Sequence, residues 1–216
     1  MAFPIDYEAD YVEERSRLTT FFRYFMVIPQ WIFGFFLGIA AIFTLIAAWF
    51  ALVFTGKYPE GLYNFNSGVL RWGTRVNAYY LLATDAYPPF SISEENSYPI
   101  RVKIAPPKPV YSRLHAFFRM FTAIPSAIVA YVLLLVANIV AIGAWFVIVF
   151  TGKTSDALQN LINWGMGYHA KFSGYAYLLH EEWWPPIEED ASSGGAITAG
   201  GSEAQAPAAS KKSAAE

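Results

Sequence analysis

"WFALVFTGK" at residues 49–57 returns as "WFVIVFTGK" at residues 145–153, 96 positions later. Sliding the whole chain by that offset aligns Arg17-Leu18 with Arg113-Leu114, Phe21-Phe22-Arg23 with Phe117-Phe118-Arg119, and Ile28-Pro29 with Ile124-Pro125. The register holds without a gap through Lys57 and Lys153, with 20 identities in 41 positions. Fainter matches continue through Asn64 and Asn160, Arg75 and Lys171, Tyr79 and Tyr175, and Asp85 and Glu181. Near the ends, "YPPF" (87–90) is echoed by "WPPI" (184–187). Repeats have to be found before a fold is assigned, and this one divides the chain into two units, 3–92 and 98–187. Residues 188–216 are rich in Ala, Gly and Ser, with almost nothing to bury, and are expected to form a disordered tail.

Each unit reads as four pieces. A short extended segment comes first, near 3–7 and 98–104; in "YPIRVKI" Ile100, Val102 and Ile104 alternate with Arg101 and Lys103. An aromatic-basic segment follows, which Pro29 or Pro125 is expected to end or kink. The third piece is a long apolar run, 29–54 or 125–150. No Asp, Glu, Lys, Arg or His occurs from Tyr24 to Gly56 or from Met120 to Gly152, and about 20 apolar residues suffice to cross a bilayer. The last piece is amphipathic, 60–83 or 156–180. Leu62, Phe65, Val69, Trp72, Val76, Tyr79 and Ala83 form one stripe in the first copy, with Asn64, Ser67, Arg71 and Arg75 off it. Such a helix suits the headgroup layer; packing of the stripe on the protein's own membrane helices is the equal alternative, and the two can coexist. The fold class expected is an all-α integral membrane protein of two tandem repeats, each with one transmembrane helix and one amphipathic interfacial helix.

Composition agrees. Only 15% of residues are charged and 55% are hydrophobic, against roughly 25% charged in a typical soluble domain. A net charge of −2 gives no reason to expect nucleic acid, and the absence of cysteine excludes thiolate chemistry. The acidic first residues lack the apolar region of a signal peptide. One crossing per unit would make the units antiparallel, with both termini on one side. Basic residues flank both runs on every side, so the positive-inside rule selects no orientation. A re-entrant hairpin with everything polar on one side is the alternative. Halving a run leaves arms of about 20 Å, too short to cross, and no Gly-Pro turn lies mid-run, which favours two spans.

The chemical motifs are few. "TGKT" at 151–154 lacks the earlier glycine that a phosphate-binding loop requires, because that position is Val147, inside the apolar run. Gly56 and Gly152 instead suit helix termination, with Lys57 and Lys153 placed to snorkel to headgroups. His115, His169 and His180 lack the i, i+4 spacing of helical metal pairs, and no catalytic constellation stands out. Gly34 and Gly38 form a Gly-x-x-x-Gly in an apolar helix, and Ala137 and Ala141 give a similar small-residue spacing, both suited to close helix packing. Asn138, near the middle of the second run, is expected to face another helix. Lys57, Arg71, Arg75, Lys153 and Lys171 are the candidate headgroup contacts. Trp31, Trp49, Trp72 and Trp145 are the candidate interfacial anchors.

The stretches "FTGKYPEGL", "LRWGTRVNAY" and "TDAYPPF", preceded by "RLTTFFRYFMVIPQWI", resemble the bacterial membrane-protein family known as domain of unknown function 4389, over about 3–187. The second copy departs from that pattern where Arg71-Trp72 becomes Gly167-Tyr168, Arg75 becomes Lys171, and Thr84-Asp85 becomes His180-Glu181. The resemblance implies an integral membrane protein and brings no activity, cofactor or catalytic residues. The function expected is a non-enzymatic scaffold or accessory subunit in a bacterial cytoplasmic membrane, contacting lipid and either partner membrane helices or further copies of itself. An oligomeric transporter, channel or lipid-handling protein is the rival.

Overall fold

A computed structural model describes residues 3–182 and Trp184 of the chain. The elements run β1 (Ile5–Ala9), α1 (Arg17–Thr55), α2 (Glu60–Tyr80), β2 (Ile100–Ile104), α3 (Arg113–Thr151) and α4 (Asp156–Ala176). The tail expected at 188–216 lies outside the described residues.

Helices α1 and α3 are 39 residues each, about 58 Å at 1.5 Å per residue. Both start and stop with the same devices. The Ser16 and Ser112 hydroxyls accept from the Thr19 and His115 amides, satisfying first-turn donors. Gly56 (φ 70°) and Gly152 (φ 75°) close the helices in the left-handed conformation, their amides returning to Leu52 O and Ile148 O. Pro29 and Pro125 lie inside these helices. The prolines therefore do not end the aromatic-basic segment, which is one element with the apolar run. Each proline removes a single backbone donor, and the i→i−4 bonds on either side of it keep the helix continuous.

The amphipathic helices end earlier than their periodicity suggests, at Tyr80 and Ala176. The cause is a turn that puts Leu82 and Leu178 at φ 66°. The Ala83 amide reaches back to Ala78 O and that of Leu179 to Gly174 O. A left-handed leucine costs roughly 1–2 kcal/mol; the carbonyls this turn presents are put to use in the site below.

The extended segments pair with each other. β1 and β2 form an antiparallel ribbon with Ile5 opposite Ile104, Tyr7 opposite Val102 and Ala9 opposite Ile100. Ile5, Tyr7, Ile100 and Val102 are buried, while Asp6, Glu8, Arg101 and Lys103 alternate onto the outer face. The ribbon exchanges partners between units: β1 packs on α4, and β2 packs on α2. The repeats consequently share one core, in which Ile5 and Tyr7 join Ile162 and Met166, and Ile100 and Val102 join Leu70 and Ala78. Contacts order the elements in three tiers, with the ribbon on α2 and α4, and those in turn on α1 and α3.

The stripe on α2 covers α1. Val27 of α1 packs with Trp72, Val76 and Tyr79, and Ala130 of α3 with Tyr168 and Phe172 of α4. Off-stripe Ser67, Thr74, Arg75 and Ala78 are buried as well. Of the two expectations for this stripe, packing on the protein's own long helices is the one observed. The stripe faces protein, because α1 carries a complementary stripe (Thr20, Arg23, Val27, Gln30) that needs a cover.

Candidate functional site

Two features outside the core have functional character: an apolar outer surface and a pair of buried polar corners. On α1, Phe25, Ile32, Phe36, Phe43, Phe50 and Phe54 are exposed; on α3, Phe121, Ile128, Leu135, Ile139, Phe146 and Phe150 are. Both helices are long and apolar enough to cross a membrane, and only 17% and 22% of their most apolar windows are buried. A soluble core helix of that composition would be mostly buried.

The corners lie where the start of one long helix meets the end of the other. In the first, Arg23 of α1 donates through Nη1 to Tyr79 O (2.6 Å) and Thr84 O (2.7 Å), pairs with Asp85, and stacks over the Tyr79 ring at 4.5 Å. Arg15 donates to Ala83 O (3.1 Å) and Gln159 Oε1 (2.6 Å). Asp85 also accepts from the Ser16 amide (2.9 Å), where a carboxylate favours the α1 N-terminus. In the second corner, Arg119 donates to Tyr175 O (2.7 Å) and His180 O (2.6 Å) and lies 4.2 Å over the Tyr175 ring. Glu181 accepts from the Ser112 amide (2.6 Å) and pairs with Lys108 (3.3 Å). The turns at Leu82 and Leu178 deliver the carbonyls that both corners use. Burial depresses the Arg15 guanidinium below its ordinary range and drives the His180 imidazole down to about 4.

A third cluster decorates the ribbon. Lys103 pairs with Glu8, and Arg101 pairs with Asp10 (2.7 Å) and Glu8 (3.3 Å). The Lys103 bond holds the Glu8 carboxyl below its usual range, and the Asp10 bond raises Arg101. Beside it, Arg71, Arg75, Glu94, Glu95, Arg101 and Lys103 line a cleft of 10 Å³, about the space of one water.

The candidate headgroup residues separate into two kinds. Lys57 and Lys153 are exposed at the helix exits, Lys153 paired with Glu13 (2.9 Å). Arg75 is buried and donates to Ser91 O (3.2 Å) and Ser93 O (2.7 Å). Arg71 is half-buried, between Val102 O (3.3 Å) and Glu94 (3.6 Å), and Lys171 is buried 5.6 Å from the Phe3 ring. Headgroup contact is therefore corrected for Arg75, whose cation is taken up by the 91–93 segment, and for Lys171, which is buried beside Phe3.

The tryptophans divide similarly. Trp31 is exposed; Trp49 and Trp145 are half-buried and donate across the helix pair to Ala116 O (3.0 Å) and Thr20 O (3.1 Å). Trp72 is buried and donates to Gln30 (3.2 Å), so it is no interfacial anchor. Its ring fills the space over Gly34, where an added Cβ would lie 2.6 Å from Trp72 Cη2, while Gly38 faces open space. Ala137 and Ala141 are buried, Ala137 against Gly165 of α4. Asn138 donates to Leu134 O (2.8 Å) one turn back; its own helix supplies the partner expected from another.

Sequence reasoning missed the corners. The signal was present, because Arg23/Asp85 and Arg119/Glu181 recur at the same offset in both units. Nothing local says that residues about 60 apart in the chain meet.

The family model described as "Domain of unknown function (DUF4389)" matches residues 17–91 and 113–187, and the chain belongs to that family. The two matches start at the long helices and leave out the ribbon that joins the copies. No curated protein and no solved structure matches the chain.

Proposed function

We propose that this DUF4389 protein is a non-enzymatic membrane protein of the bacterial cytoplasmic membrane, a scaffold or accessory subunit. Its apolar α1 and α3 surfaces contact acyl chains, and its charged tier faces partners in the aqueous phase. The observation that carries this reading is the exposure of the long helices' outer faces, with large aromatic and aliphatic side chains at nearly every outward position. Surfaces of that extent on a water-soluble monomer mark an interaction site. Lys57, Lys153 and the exposed Trp31 are the residues we assign to the headgroup region.

The rival reading, an oligomeric transporter or channel, would require a helix interface through Gly34/Gly38 or Ala137/Ala141. Gly34 is covered by Trp72, and Ala137 and Ala141 are buried within the monomer, which weighs against it. Purification in mild detergent with native mass spectrometry tests the choice. A stoichiometric second protein supports the accessory-subunit role. A homo-oligomer carrying a defined lipid, and no other protein, replaces it with lipid handling or transport.

A further inference from the structure

The level at which the charged ribbon sits along the long helices determines how they can lie in a membrane. At one end of the pair, Trp145 donates to Thr20 O (3.1 Å) and Arg17 to Thr151 O (3.0 Å); at the other, Trp49 donates to Ala116 O (3.0 Å) and Arg113 to Thr55 O (3.5 Å). Helices α1 and α3 are antiparallel, and each charged start lies beside the other's apolar end. Counted from those contacts, the charge-free stretches of both helices overlap only over residues 24–45 of α1, about 22 residues or ~33 Å. That matches the ~30 Å hydrocarbon thickness of a bilayer. If the pair stood upright, the midplane would fall near Gly34.

The ribbon lies at that level. Trp72 covers Gly34, and its neighbour Arg71 donates to Val102 O at the centre of β2. On the other unit, Gly165 of α4 rests against Leu133 O of α3, and Tyr7 at the centre of β1 donates to Asn163 (3.1 Å) and lies over Gly167. An upright pair would therefore hold Glu8, Asp10, Arg101 and Lys103 at mid-bilayer, with the Lys103 side chain 59% and that of Asp10 51% exposed. Ionised groups at that depth need shielding that these lack. A two-stranded ribbon also has two open edges, and unpaired strand edges are not tolerated facing lipid.

Resting on the membrane reading above, we infer that the protein is monotopic. The axes of α1 and α3 run along the membrane plane, their outer faces lie in the acyl chains of one leaflet, and the ribbon faces the water on that same side. The dimensions agree: one tier of helices is about 10 Å thick, against about 15 Å of hydrocarbon per leaflet, half of the ~30 Å core. Lys57 and Lys153, at opposite ends of the pair, then share one side of the membrane, whereas two spans would separate them.

The chain has no cysteine, so single substitutions of the exposed residues Lys57→Cys, Ser97→Cys and Lys153→Cys in the full protein report sidedness directly. Sealed vesicles and permeabilised controls are treated with an impermeant maleimide. All three positions in the same state, together labelled or together protected until permeabilisation, is the expected result. Lys57→Cys and Lys153→Cys in opposite states overturn the inference and leave the membrane reading intact. Spin labels at Lys103→Cys and Phe36→Cys give a second readout. Collision with a hydrophilic nickel complex should be an order of magnitude stronger at position 103, and equally weak access at both overturns the inference. Recovery of the full chain in the soluble fraction removes the membrane reading and this inference together.

Discussion

The two buried corners occupy equivalent places in the two repeats and solve the same problem with different chemistry. Each must satisfy the carbonyls presented by a left-handed leucine turn. The first does so with Arg15 on Ala83 O (3.1 Å); the second uses Tyr111 on Leu179 O (3.2 Å), one repeat later. Around Arg15 stand Arg23, Asp85 and Gln159; around Tyr111 stand Tyr58 and Tyr63. The first corner thus buries two guanidiniums on one carboxylate, while the second buries one and turns its carboxylate outward to Lys108. Duplication preserved the backbone frame and left its filling free to change, because a guanidinium and a phenol can both donate to a carbonyl.

That contrast is broken or sharpened by substitutions in each repeat. Asp85→Asn removes the only carboxylate paired with Arg15 and Arg23 among the described residues, and leaving buried cations uncompensated costs about 3–5 kcal/mol. Glu181→Gln should cost about 1 kcal/mol, because its partner Lys108 is solvent-accessible. Equal losses for the two variants in reversible unfolding in detergent would abolish the distinction between the corners.

The second corner should contribute a large part of the pH response. His180 is buried, with its pKa lowered to about 4, so an unfolded chain takes up a proton near pH 6.5 that the folded one refuses. Stability is therefore full above pH 6.5 and falls as pH drops towards 4, by at most about 3 kcal/mol. His180→Thr, which installs the first repeat's Thr84, should flatten that slope; an unchanged pH profile would assign it elsewhere.

The third comparison concerns the layer between the helices. Gly34 beneath Trp72 corresponds to Ala130 beneath Tyr168, a smaller ring over a larger floor. Gly34→Ala forces the Trp72 ring to move and should cost about 1–3 kcal/mol. Combining it with Trp72→Tyr imports the second repeat's pair and should recover part of that loss. A double-mutant cycle showing strict additivity would mean that the two sites do not compensate.

As small as the Glu181 change is Tyr111→Phe, which removes the bond to Leu179 O and one accepted from the Lys108 amide (3.2 Å), for about 1 kcal/mol. A negligible effect on unfolding would show that the phenol contributes packing alone.

Much of this fold was legible in the sequence, and the reasons are local. The helix ends at Gly56 and Gly152 follow from the left-handed conformation that glycine adopts without strain. The stripe of α2 follows from its period. Where the reading missed, the missing information was long-range. Pro29 is expected to end or kink the helix because proline costs a hydrogen bond, yet α1 continues through it from Arg17 to Thr55. Arg75 and Lys171 looked like headgroup ligands because they lie off the stripe; the 91–93 segment covers Arg75 on α2, and Phe3 lies beside Lys171 on α4. Trp72 looked like an anchor until Gly34 supplied a floor for its ring.

By itself, the sequence determined that there are two copies of one unit, that each carries a long charge-free helix, and that each amphipathic helix must hide one face. Those are properties of composition and period, fixed residue by residue. The tertiary structure alone decided what hides that face, which strand pairs with which, and that Arg15, Arg23 and Asp85 meet. Burying an apolar stripe is favourable against any surface of matching shape, and a buried charge is tolerated only beside a particular partner, so those choices are made by the assembled chain.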